Sequence, residues 1–223
     1  MGWGLRNITF EDWLEHVFDH EVCEPYWFLD PESGIWAGDP DVTVAYITRL
    51  FEDPLPYIEN YTDEQLNQGL WYIVGSSTGS HMFAVIDPRL SHITATGCVR
   101  SFYSLFEKVF AKRCSEHLYH LGQTGANALN AVCHMWWDII PICGMPDNPS
   151  RTQLDLEALR VMARTLKLDS PACQESALHG LGHWQASYPK KVCSIIEKLI
   201  EINHSIPNEL LEYAKRALAG YVL

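Results

Sequence analysis

Residues 93–113, Ile-Thr-Ala-Thr-Gly-Cys-Val-Arg-Ser-Phe-Tyr-Ser-Leu-Phe-Glu-Lys-Val-Phe-Ala-Lys-Arg, decide the class of fold. Val99, Phe102, Phe106, Val109 and Phe110 recur at steps that place them along one face of a helix. Lys108, Lys112 and Arg113 gather near its end, where cations complement the partial negative charge of the helix dipole. A half-buried strand would instead alternate apolar and polar residues, and no such alternation is sustained in the 223 residues. The expectation is an all-α chain without a sheet.

Toward the N-terminus the same pattern repeats. Thr9 can cap a helix carrying Phe10, Trp13, Leu14, Val17 and Phe18, with Glu11 and Asp12 in its first turn. Residues 22–38, punctuated by Pro25, Pro31, Gly34 and Gly38, read as a long connection; its Trp27 and Trp36 are either pinned into the core or offered to a partner. Asp39-Pro40-Asp41 opens a helix to about Glu52, and Pro54 and Pro56 break it. Thr62-Asp63-Glu64-Gln65 is a capping box for a helix through Leu66, Leu70, Trp71 and Val74, stopping at Gly75. A short helix is expected from His81 to Ile86.

Toward the C-terminus the spacing predicts helices over Gly125–Ile140, Gln153–Leu166, Ser170–Trp184, Lys190–Ile202 and Pro207–Ala219. At this length the chain forms one domain, residues 1–223, able to bury its own core.

Residues 1–90 carry 16 Asp/Glu against Arg6, Arg49 and Arg89, whereas residues 91–223 are near neutral; the whole chain has a net charge of −12. An acidic surface repels phosphate backbones, so no nucleic-acid partner is expected. It attracts cationic proteins or peptides, or simply keeps the chain in solution. No apolar run approaches the ~18 residues a membrane span needs, and Met1–Arg6 lacks the features of a signal peptide, so no membrane association and a cytoplasmic location are expected. Cysteines 23, 98, 114, 133, 143, 173 and 193 are scattered without Cys-x-x-Cys spacing, which reads as free thiols.

At an offset of 48 residues, Trp136 matches Trp184 and Pro141 matches Pro189. Periods near this length, with two or three helices each, mark helical repeats. The segment Ser176-Ala-Leu-His-Gly-Leu-Gly-His183, followed by Lys190-Lys191-Val192, resembles a HEAT/armadillo-type unit over roughly the last 100 residues. That resemblance implies stacked antiparallel helix pairs in a right-handed superhelix, with a groove for partners and no particular function.

Three constellations could carry chemistry. Glu175, His179 and His183 are spaced i, i+4, i+8, and paired histidines at i, i+4 can hold one metal ion; the glutamate of His-Glu-x-x-His is absent because Gly180, Leu181 and Gly182 intervene. Gly75-Ser76-Ser77-Thr78-Gly79 matches the nucleophile-elbow pattern around Ser77, in a helical rather than a strand-to-helix context. Trp136, Trp137 and Trp184, beside His134, His179 and His183, would form an interaction surface if one of the adjacent tryptophans were exposed. The leading expectation is a non-catalytic scaffold that needs no cofactor and engages a basic protein, such as a cationic toxin or nuclease. The alternative is a metal-dependent hydrolase or hydroxylase on the Glu175/His179/His183 face.

Overall fold

A computed structural model describes residues 8–30, 32–34, 36–75, 81–202 and 206–222. The helices are α1 (Phe10–Phe18), α2 (Pro40–Glu52), α3 (Leu55–Ile58), α4 (Asp63–Val74), α5 (His81–Val85), α6 (His92–Leu105), α7 (Ala111–Arg113), α8 (Leu129–Ile139), α9 (Thr152–Thr165), α10 (Pro171–Trp184), α11 (Pro189–Ile202) and α12 (Asn208–Ala219). Among the described residues there is no strand. Ser77 and Met1–Arg6 lie outside the described residues.

The ends of the helices follow local chemistry. Thr9 and Thr62 each complete a reciprocal capping box, with Asp12 and Gln65 respectively. Pro40, Pro171 and Pro189 sit in first turns, where a missing N–H costs nothing. Pro54 and Pro56 end α2 as expected, but they also open the short α3 for the same reason. The helix expected from Gly125 begins only at Leu129: Gly125 has a φ of +88°, and Asn127 uses its carbonyl oxygen to accept the Leu129 N–H at 2.9 Å. The run 93–113 is interrupted by a π-helical turn, Phe106–Phe110, whose two phenylalanines pack against Trp136 at 5.9 and 5.8 Å. Single 3-10 turns at Trp27–Leu29, Tyr119–Leu121 and Pro149–Arg151 are too short to leave a periodic trace.

In the packing, α6 lies between α2 and α9, while α10 is enclosed by α8, α9, α11 and α12. Residues from both the acidic and the near-neutral halves share one hydrophobic cluster. Ion pairs join the halves as well, Lys108 to Asp53 at 2.8 Å and Arg113 to Asp63 at 2.5 Å. The internal echo is half realised. Pro189 opens α11, but Pro141 leads into an irregular segment up to the turn at Pro149. No helix among the described residues is long and apolar enough to cross a membrane. The seven cysteines are free; Cys98, Cys133 and Cys173 are buried, and Cys23 and Cys143 are exposed.

The two tryptophans of the 22–38 connection are pinned rather than offered. Trp27 stacks on His20 with ring centroids 3.7 Å apart, and Trp36 stacks on Tyr46 at 5.8 Å; both indoles are buried. Against Trp36 and Tyr72, at ring-centroid distances of 5.2 and 4.9 Å, sits His81, fully buried, whose Nε2 accepts the Trp13 indole N–H at 3.1 Å. Protonation would set a second donor against that N–H, and burial already holds the His81 pKa down to about 3. A group whose folded pKa lies below its unfolded value of 6.5 contributes its full stability above pH 6.5, and loses it as pH falls toward the folded value. His16, held at about 4 by burial and then by His20, adds in the same direction. Stability should therefore fall between pH 6.5 and 4, by up to about 1.4 kcal/mol per pH unit for each such histidine. His81→Gln keeps an acceptor for Trp13 without a titrating ring. Urea unfolding across this range should give a shallower pH slope for the variant, and an unchanged slope would refute the assignment.

Candidate functional site

The site is built where α8 and α10 lie side by side. Gly180 permits the approach: a Cβ there would fall 2.6 Å from the Trp137 Cβ and 2.8 Å from the Met162 sulfur. Ser176 closes the contact one turn earlier by donating its hydroxyl to the Cys133 carbonyl. Alanine normally stabilises a helix by about 1 kcal/mol relative to glycine. At Gly180 the steric conflict wins, and Gly180→Ala should destabilise by about 1–3 kcal/mol. Gly97 in α6 has nothing within 4 Å of its would-be Cβ, so Gly97→Ala should gain up to about 1 kcal/mol. Chemical denaturation of the two variants checks the opposite signs.

Each helix contributes a pair at i, i+4: His134 and Asp138 from α8, His179 and His183 from α10. Three of these meet. His183 Nε2 lies 3.2 Å from His179 Nε2 and 3.4 Å from Asp138 Oδ1, and the three donor atoms all fall within 4.8 Å of one another. The edge of a tetrahedron of ligands about 2.0–2.1 Å from a zinc ion is roughly 3.3 Å, close to the two shorter separations. His183 and Asp138 are each more than one-third exposed (38% and 39%), while His179 is buried, so the cluster sits at the rim with one side toward solvent.

His179 is oriented from behind. Its Nδ1 is 2.7 Å from the Tyr213 hydroxyl on α12. Burial and the Glu175 carboxylate push the Tyr213 phenol up, so it stays protonated. When His179 donates its Nδ1–H to that oxygen, its Nε2 lone pair faces His183 and Asp138; metal-binding histidines are commonly held this way. Burial, followed by the charge of His183, lowers the His179 pKa to about 4, which keeps the imidazole neutral near pH 7. His134 lies behind, its ring 4.2 Å from that of His179, with Nδ1 buried and without a hydrogen bond. Burial and then His179 hold its pKa at about 3.

Glu175 does not join this group. Eight residues along a helix separate it from His183 by about 12 Å of rise, too far for one ion. Its oxygens instead accept the backbone N–H groups of Tyr119 at 2.9 Å and His120 at 3.0 Å, and meet His120 Nδ1 at 2.5 Å. The third ligand candidate is Asp138, which sequence reasoning missed. The available signal was a second i, i+4 pair, His134 and Asp138, on the neighbouring helix pattern.

The expected tryptophan surface is not present. Trp136 is enclosed by Phe51, Phe102, Phe106 and Phe110, Trp137 packs on Phe106 and over Gly180, and Trp184 stacks on Tyr188. All three are buried, as are His134 and His179, because helices cover α8 on both sides reached by adjacent positions. Of the six residues in that expected surface, His183 alone is exposed. No family model matches the chain, and no curated protein or solved structure matches it.

Proposed function

We propose that the chain is a metal-binding domain, its centre formed by Asp138, His179 and His183, with metal-assisted hydrolysis as the reaction class. The observation that carries this is the convergence of two imidazole nitrogens and one carboxylate oxygen from two helices on a solvent-facing rim. Imidazole with carboxylate suits zinc, and three protein ligands with an open side are the pattern of catalytic rather than structural zinc sites. A zinc ion so held would supply an activated water. Asp138 and His183 would fix its position, and Tyr213 would orient His179 behind it.

Titration of untagged, chelator-stripped protein with zinc should reach one equivalent. Zinc at a hundred times its dissociation constant should then stabilise the fold by about 2.7 kcal/mol. Asp138→Ala and His183→Ala should each abolish stoichiometric binding while leaving the helical spectrum intact, since both side chains are substantially exposed. Substoichiometric zinc together with an unfolding midpoint unmoved by zinc or chelator would overturn the reading. Ferrous iron, titrated anaerobically in parallel, separates a hydroxylase-type centre from a hydrolase-type one, because two histidines and a carboxylate also serve non-haem iron.

A second reading, a scaffold for a basic peptide, is favoured by the 22–38 connection. There Val22 and Leu29 are more than half exposed amid the exposed carboxylates Glu24, Asp30 and Glu32, with Glu21 just before them. Contacts between consecutive helices from α9 to α12 support HEAT-like stacking in this reading. Binding of a lysine-rich amphipathic peptide that weakens sharply with salt would support it, and salt-independent or absent binding would count against it.

A further inference from the structure

On the molecule's α9–α11 face lies a groove of about 660 Å³, within the ~300–1,000 Å³ range of small-molecule sites. Each wall offers the same i, i+3, i+4 pattern. Ala163 comes from the last turn of α9 and Leu166 and Lys167 from the turn that continues it, and Ile195, Lys198 and Leu199 come from α11. Leu166 is buried and the other apolar side chains are half-buried, whereas both lysines are exposed. Gln174 of α10 closes the floor and turns its amide N–H groups onto the carbonyls of Leu166 at 3.3 Å and Leu168 at 2.9 Å. Those acceptors at the end of α9 are thus satisfied, and they do not call for a polar ligand.

Charge identifies the head of the occupant. In a chain of net charge −12, this groove is lined by two lysines and no carboxylate. Neither ammonium has an ion-pair partner among the described residues. We infer that the α9–α11 groove binds a single-chain anionic amphiphile, its alkyl chain along Leu166, Ile195 and Leu199 and its head between Lys167 and Lys198. The two sources of that chemistry are alkyl carboxylates and alkyl phosphates.

The test is displacement of a fluorescent fatty-acid probe from the full chain, in chelator so that the outcome is independent of metal. Competitors are octanoate, decanoate, dodecanoate, dodecyl phosphate, dodecanol and dodecyltrimethylammonium, each below its micellar concentration. Affinity should rise about fourfold per added methylene while the groove fills, the equivalent of burying one CH₂. The anionic heads should bind about fivefold or more tightly than the cationic one, the yield of exposed charge pairs. The tighter of dodecanoate and dodecyl phosphate names the natural head group. Lys167→Glu with Lys198→Glu should reverse the order of anionic and cationic heads. Ala163→Trp should block displacement by filling the groove, and a second filling variant, Leu199→Trp, covers the case in which the first does not fold. Equal affinity for both head charges, no dependence on chain length, or undiminished binding in folded groove-filling variants would each overturn the inference.

Discussion

Trp136→Ala is expected to destabilise the protein by about 3–5 kcal/mol, the usual cost of removing a large aromatic from a core that collapses only partly. Its ring is fully buried, with four phenylalanine rings from α2, α6 and the π-helical turn at centroid distances of 5.5–5.9 Å. These phenylalanines come from two separate stretches of chain and Trp136 from a third, so a cavity here loosens contacts on several helices at once. The indole N–H has no hydrogen-bond partner. Trp136→Phe therefore removes an unmet donor along with part of the volume, and should cost less than half as much. Urea unfolding followed by far-ultraviolet circular dichroism separates the two variants. An alanine variant within about 1 kcal/mol of the parent would mean that Trp136 does not organise this core.

Glu175→Ala should cost a comparable amount, about 3–5 kcal/mol, for a different reason. Three donors converge on this buried carboxylate: two backbone N–H groups and the His120 imidazole. Deleting it leaves all three without an acceptor and releases the Tyr119–Leu121 turn from α10. Glu175→Gln retains one carbonyl acceptor and should cost markedly less. The same pair bears on the metal centre. Zinc stoichiometry should survive in folded Glu175→Gln and be lost in Asp138→Ala. The reverse result would return Glu175 to the ligand set.

Much of the local structure was legible because it depends on neighbours in sequence. The capping boxes at Thr9 and Thr62, the prolines in first turns and the apolar steps of α1, α4 and α6 act within four residues, and helices formed where they pointed. The π-helical turn and the late start of α8 were not legible. The first accompanies packing on Trp136, and the second depends on one asparagine carbonyl and a glycine with positive φ.

The candidate site divides in the same way. His179 and His183 could be paired from spacing alone, since a helix brings i and i+4 together wherever it lies. Asp138 became their companion only through the α8–α10 contact at Gly180, whereas Glu175, in step with the two histidines but two turns from His183, holds a loop 55 residues away instead. The tryptophans follow the same rule, since a helix repeat says which way a side chain points but not whether another helix waits there.

What the amino-acid order determined unaided is the all-helical class, the position of most helices and the asymmetry of charge, because each arises from short-range periodicity or from simple counting. Which polar groups meet, which aromatics are sealed and where a lysine-rimmed groove stays open was decided by tertiary packing. Those outcomes depend on the distance between surfaces far apart in the chain, and a single absent Cβ at Gly180 is enough to set one of them.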